Sequence, residues 1–232
     1  MTGDRSIMLG IDTSTSAIAV AVSDGDETLV RERIDPLGHS EHLAPLIAEA
    51  LQDKGIQPAD LTVIAVGNGP GPFTGLRVGM VTGLTMGHAL GIPVVGVCSL
   101  DVLAAQADAA DGSEFLVASD ARRKEVYWAV YAGGSPFPVR LTDPAVSRPA
   151  DLPESVRSLP SVGRGAVLYP DLLSHEHLAR RGGGADGPVL DVDAGVLLAV
   201  VESRLAAGDD LPVEPLYLRR PDALTLAERG VR

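Results

Sequence analysis

Five glycines recur at every fourth place, Gly75, Gly79, Gly83, Gly87 and Gly91. They follow a loop that already holds Gly67, Gly69, Pro70, Gly71 and Pro72, punctuation too dense for a helix. The stretch beyond the loop predicts a helix that stops at Gly91 and Pro93. Each interior glycine costs such a helix about 1 kcal/mol against alanine. Residues three or four apart share a helix face, so these glycines form one smooth stripe where another backbone can lie close. The expectation is a packing or binding face. The run Val78 to Leu100 lacks Asp, Glu, Lys and Arg, which also fits a membrane helix. His88 within the run and Pro93 after it argue for a soluble helix followed by a strand, and no membrane association is expected.

Around this stretch the periodicity predicts an α/β chain. Ser6 to Ile11, Ala17 to Val22 and Glu27 to Ile34 read as strands, with Asp24-Gly25-Asp26 as a hairpin turn. A helix follows, with Ser40 as N-cap, Leu43, Leu46, Ile47, Ala50 and Leu51 on one face, and Gly55 as its stop. Leu61 to Val66 and Pro93 to Val97 read as buried strands, and Ser99 as the cap of a short helix to about Ala107. Ala109 to Ser113 marks a lobe boundary, dividing residues 1–110 from a smaller lobe of residues 111–232. The second lobe opens with Glu114 to Ser119, Asp120, a turn Ala121 to Glu125, and a strand Val126 to Tyr131. This repeats the start of the chain: an apolar strand ends in Asp, five residues turn, and a strand resumes six residues after the Asp. Gly133 to Gly187 is irregular, with a short helix at Leu152 to Leu159. A helix returns at Ala194 to Ala207, and Pro215 to Arg220 reads as a short docked segment.

Aromatic residues are only 3% of the chain, so Val, Leu, Ile and Ala must build the core. A net charge of −12 excludes a surface that grips nucleic acid all over, although a local basic patch is compatible with it. Cys98 stands alone, which excludes an internal disulfide and fits a reducing cytoplasm. The N-terminus MTGDRSIMLGID does not have the pattern of a signal peptide.

Few residues offer chemistry. Asp12 and Asp120 each end a strand before a tight turn, and two such hairpins facing each other can hold phosphate or a metal in a cleft. Each Asp alone can equally bond its own turn. Gly67 to Gly75 can serve as an anion loop or as a tight crossover; it has neither a Walker lysine nor a dinucleotide fingerprint. Arg122-Arg123-Lys124 is the most basic spot, a hairpin tip that can touch phosphate. His39 and His42 stand three apart without a third ligand, so a surface pair is expected in place of a metal site.

GIDTSTSAIAVAV, HSEHLAPLI, GNGPGPFTGLRVGM, GIPVVGVCSLDVLA, SDARRKEVYWAVY and PLYLR, in this order, resemble the TsaB family, also called YeaZ. The resemblance implies an actin-like (ASKHA) ATPase fold with two ribonuclease-H-like lobes, the second reduced. It implies a role in making threonylcarbamoyladenosine at the adenosine 3′ of the tRNA anticodon. There the chain would be the non-catalytic paralogue of TsaD, which transfers the threonylcarbamoyl group, with the ATPase TsaE joining them. Relatives of TsaD hold a metal with two histidines where this chain has Cys98 to Leu103, so no metal is expected here. No cofactor of its own is expected, ATP and magnesium at the complex being a weaker option.

A partner interface is expected on the two N-lobe helices, from His39, Leu43, Leu46, Ile47, Ala50, Gly75, Arg77, Val78, Gly79, Thr82, Gly83 and Met86. Alone, the chain would pair with itself. A vestigial phosphate site would comprise Asp12, Thr13, Ser14, Gly69, Gly71 and Asp120. Contact with tRNA would be indirect, through the complex; any direct contact falls near Arg122 to Lys124 or Arg219-Arg220. The alternatives are an ATPase or kinase built on Asp12 and Asp120 and, more weakly, a metallopeptidase.

Overall fold

The computed structural model describes residues 6–181 and 187–219; the expectations for Met1 to Arg5 and for Arg220 lie outside them. Two sheets carry the molecule. The first has strand order β3-β2-β1-β4-β5, from β1 (Met8–Asp12), β2 (Ala17–Ser23), β3 (Thr28–Ile34), β4 (Val63–Gly67) and β5 (Val94–Val97). β1, β2 and β3 are antiparallel, while β4 and β5 run parallel to β1. Parallel neighbours need crossovers, supplied by α1 (His39–Lys54) and α2 (Phe73–Leu90). The second sheet is built on β6 (Glu114–Asp120) and β7 (Val126–Ala132), with β8 (Val139–Arg140), β9 (Ala145–Ser147) and β10 (Ser161–Val162).

The expected repeat is present: each hairpin has a parallel neighbour on its first strand, β4 on β1 and β10 on β6. Its register differs by one residue. Asp12 pairs with Ala19, whereas Asp120 pairs with Val126.

The sheets are buried on both faces, which explains their near-continuous apolar strands. Leu9, Ile11, Val20, Ile64 and Val66 face α1 and α2 together with Leu43, Ile47, Leu76 and Met80. Met8, Ala19, Ala21 and Ala65 face the other way. There they meet α3 (Ser99–Ala105), α6 (Ala194–Ala207) and Phe115, Val117 and Tyr131 of the second sheet. The outer face of that sheet, with Leu116, Ala118 and Val126, is covered by Leu152 beside α4 (Glu154–Arg157) and by Ala166 of α5 (Arg164–Leu168).

The expected boundary at residue 110 separates the sheets but not the helices. α3 packs on β6 and β7, and α6, near the end of the chain, packs on all five strands of the first sheet. Small side chains allow this: a Cβ on Gly10 would come within 3.0 Å of the Ala194 carbonyl. Asp101 of α3 ties the halves. It accepts bonds from Tyr131 (2.7 Å), Arg140 (3.1 Å) and Arg204 of α6 (2.7 Å).

Two caps differ from expectation. α1 starts at His39 after Gly38, and Asp35, not Ser40, turns the chain by accepting the N–H groups of Leu37 and Gly38. Ser99 is the first residue of α3, with its hydroxyl directed elsewhere. The helix expected at Leu152 to Leu159 is reduced to α4, because Leu152 and Leu159 each precede a proline, which disfavours helical backbone there.

Candidate functional site

The glycine stripe of α2 faces the protein's own sheet. A Cβ on Gly75 would lie 2.8 Å from the Thr13 carbonyl. On Gly79 it would overlap the Thr13 hydroxyl, on Gly83 the Val66 side chain and on Gly87 the Val94 side chain. Gly75, Gly79 and Gly83 are therefore not partner-facing, contrary to expectation. The costly stripe lets α2 sit almost directly on the backbone of the sheet. The same correction applies to Leu43, Leu46, Ile47 and Ala50, which are buried in the core beneath α1. His39 is buried as well; its Nε2 lies 3.1 Å from the Thr15 carbonyl, while His42 pairs with Asp35.

Of the expected interface, Arg77 is exposed and Val78, Thr82 and Met86 are half-buried. Opposite the glycines lies a face of which the expectation named only Arg77: Phe73, Arg77, Val81, Leu84 and His88, all exposed and spaced by four, four, three and four residues. Val81 is 58% and Leu84 43% exposed. α1 packs beside α2 and presents Ala44, Pro45 and Ala48 outward. Large apolar side chains aligned in the open on one helix face mark a binding surface more than scattered ones do.

The N-terminal end of that face is built up by the chain's last described segment. The Leu216 N–H donates to the Asn68 carbonyl at 2.9 Å, placing Tyr217 against α2. The Phe73 and Tyr217 rings are 5.1 Å apart. The Arg77 guanidinium lies 4.1 Å above Phe73 and donates to the Tyr217 hydroxyl at 3.0 Å. Arg219 then donates to the Ala121 carbonyl and pairs with Glu125, reaching the second lobe.

The cleft between the hairpins is closed. Asp12 is 1% exposed and fully engaged inside: Oδ1 accepts the N–H and the hydroxyl of Ser14, both at 2.7 Å, and Oδ2 accepts the Ser99 hydroxyl at 2.7 Å. Burial raises its pKa, and the two serines oppose this. Thr13 donates to the Gly75 carbonyl (2.7 Å) and accepts the Gly79 N–H (2.9 Å). Gly69 donates to Ser99 at 3.2 Å, and Gly71 abuts Ser14 and accepts the Tyr127 hydroxyl at 3.2 Å. Asp120 lines the cleft but pairs with Arg122 and accepts its N–H, the same local turn bond that Asp12 makes with Ser14. Each of the six residues of the expected phosphate site is thus engaged within the chain, Asp12 by Ser14 and Ser99 and Asp120 by Arg122, and the two carboxylates do not converge. Arg164 crosses the remaining space to Asp191 (2.8 and 2.5 Å), which also accepts the Ser16 N–H. The cavity left has about 10 Å³, room for a water molecule but not for a nucleotide. This small cavity beside Asp120, as arranged, does not fit ATP and magnesium.

Among the described residues no group of three or more His, Cys, Asp or Glu is placed to hold a metal ion, and no helix is long and apolar enough to cross a membrane. Cys98 is buried, and burial pushes its thiol up to about 12.

The family model described as TsaD, tRNA N6-adenosine threonylcarbamoyltransferase, matches residues 36–180. A protein of Mycobacterium leprae is 41% identical over 94% of this chain, which spans 56% of that relative's length. TsaB of Escherichia coli, a tRNA threonylcarbamoyladenosine biosynthesis protein, is 34% identical over 91% of this chain and 94% of its own. A solved structure described as similar to the peptidase YeaZ from Pseudomonas aeruginosa matches with a TM-score of 0.74 at 27% identity. It covers 92% of this chain and 100% of the other. The two-sheet architecture and these matches fit the actin-like fold, and the chain belongs to the TsaB family of tRNA threonylcarbamoyladenosine biosynthesis proteins.

Proposed function

We propose that this chain is the non-catalytic assembly subunit for threonylcarbamoylation of N6 of the tRNA adenosine, and that it holds TsaD through the outward faces of α1 and α2. The observation that carries the reading is the exposed stripe of Phe73, Arg77, Val81, Leu84 and His88 opposite the buried glycines. The match of a TsaD model to residues 36–180 supports a paralogue with the same helix pair, so that two like surfaces meet in a near-symmetric four-helix contact. Self-pairing in the absence of TsaD follows from the same geometry. TsaE completes the assembly, which works in the cytoplasm. The subunit brings no cofactor or catalytic group of its own; the internal engagement of Asp12 and the Arg164–Asp191 pair support this.

The test is capture of purified TsaD by this chain and by Val81→Glu and Leu84→Glu, followed by a threonylcarbamoylation assay with the chain omitted. Loss of capture by folded variants and loss of modification on omission are expected. Undiminished capture, or modification that proceeds without the chain, would overturn the proposal.

A further inference from the structure

Beside the closed cleft lies a second, open cavity of about 650 Å³, between the starts of α1 and α2 and the hairpin of the second lobe. That volume is in the range that holds a nucleotide-sized ligand. Its walls carry the hydroxyl residues Thr13, Thr15, Ser40 and Thr74, with Phe73 on one side and Arg122 on the other. Asp35 also lines it, paired with His42.

Two features of the rim point to the same ligand chemistry. The first is aromatic. In a chain with three Phe, four Tyr and one Trp, Phe73 and Tyr217 are exposed side by side, at 42% and 41%, with Arg77 stacked on Phe73. Exposed aromatic rings with an adjacent guanidinium form a platform on which unpaired bases stack, each stack contributing about 1–3 kcal/mol. The second is charge. Arg122, Arg123 and Lys124 are consecutive and exposed, and Arg219 is held against the same hairpin. Arg122 pairs with Asp120 and Arg219 with Glu125, while Arg77 and Lys124 add positive charge to this side of a chain that carries −12 overall.

We propose that this groove binds single-stranded RNA directly, with a base on the Phe73–Tyr217 pair and phosphates along Arg122 to Lys124. Ribose would sit by the hydroxyls of the cavity wall, where a 2′-OH finds both donors and acceptors. The proposal rests on the tRNA role above and deepens it, because it replaces a contact made only through the complex with one made by this subunit. The groove adjoins the TsaD face at Phe73 and Arg77, and Lys124, on the other lobe, separates the two readings.

The experiment is fluorescence anisotropy of the full chain with labelled unmodified tRNA, a single-stranded RNA oligonucleotide and a DNA oligonucleotide of the same sequence, at roughly 50 and 200 mM salt. Capture of TsaD is measured in parallel. Lys124→Glu should weaken RNA binding about fivefold or more and lower the salt slope by about one. Tyr217→Ala should weaken the oligonucleotide about fivefold or more. Lys124→Glu should leave TsaD capture intact, and Lys124 is exposed, so its variant stays folded. No binding by the native chain, unchanged binding by Lys124→Glu, or equal binding of DNA would overturn the proposal. So would loss of TsaD capture along with RNA in Lys124→Glu, which would assign the rim to the protein interface. Failure of Val81→Glu to affect TsaD capture bears on the assembly proposal and not on this one.

Discussion

The hydroxyl of Thr13 occupies the place a side chain on Gly79 would need, donating to the Gly75 carbonyl and accepting the Gly79 N–H. One residue of the first hairpin thus bonds across a turn of α2. The helix is seated by this contact as much as by apolar packing.

Glycine substitutions on the inward stripe should act on folding. Gly83→Ala would press a methyl group into Val66 and should cost about 1–3 kcal/mol, as overpacked cores do. Gly83→Leu should prevent a native fold. Urea denaturation checks the first and far-ultraviolet circular dichroism the second.

Arg164→Ala should destabilise the chain by about 1–3 kcal/mol, since it strands the buried carboxylate of Asp191 while leaving its Ser16 bond. The cost falls below that of breaking a fully buried pair because Arg164 is 29% exposed. Removing both charges, with Asp191→Asn added, should recover part of the loss. A double-mutant cycle by thermal denaturation measures the coupling.

Cys98 should ignore thiol reagents in the native state at pH 8, where a thiol pushed up to about 12 is almost entirely protonated as well as buried. Reaction should become rapid in denaturant. Ellman's reagent with and without guanidinium tests this.

Asp12→Asn should change how stability depends on pH. Burial raises the folded-state pKa of Asp12 above its unfolded value, so folding favours its protonated form. That contribution is complete below the unfolded value of 3.8 and is lost as pH rises through the folded value. The native chain should therefore lose stability relative to Asp12→Asn between acid and neutral pH. Urea midpoints of both proteins from about pH 4 to 8 give the sign.

The elements of this fold were legible because its strands and helices keep clean periods. The glycine stripe was legible as a close contact, but a glycine does not say what lies against it. The chain's own β1 and β4 answer that. The apolar face of α1 had the same ambiguity, since a face made for a sheet and one made for a partner use the same residues. The exposed face of α2 had a readable signal, the spacing of Phe73, Arg77, Val81, Leu84 and His88, hidden behind the more conspicuous glycines. Asp12 and Asp120 looked like a matched pair because the strands repeat. The one-residue difference in hairpin register and the serine at position 99 lie outside what the repeat encodes, and they decide that Asp12 turns inward.

α6 is the last helix among the described residues, yet it covers the inner face of the first sheet. On the ribosome, β1 to β5 emerge long before their cover. Until α6 arrives, Met8, Ala19, Ala21 and Ala65 present an open apolar surface. A nascent chain stopped anywhere before residue 194 would carry this surface unshielded. The first lobe is thus closed by a helix made more than 90 residues after its last strand (Val97 to Ala194), and products truncated before that helix should be recognised by chaperones and proteases.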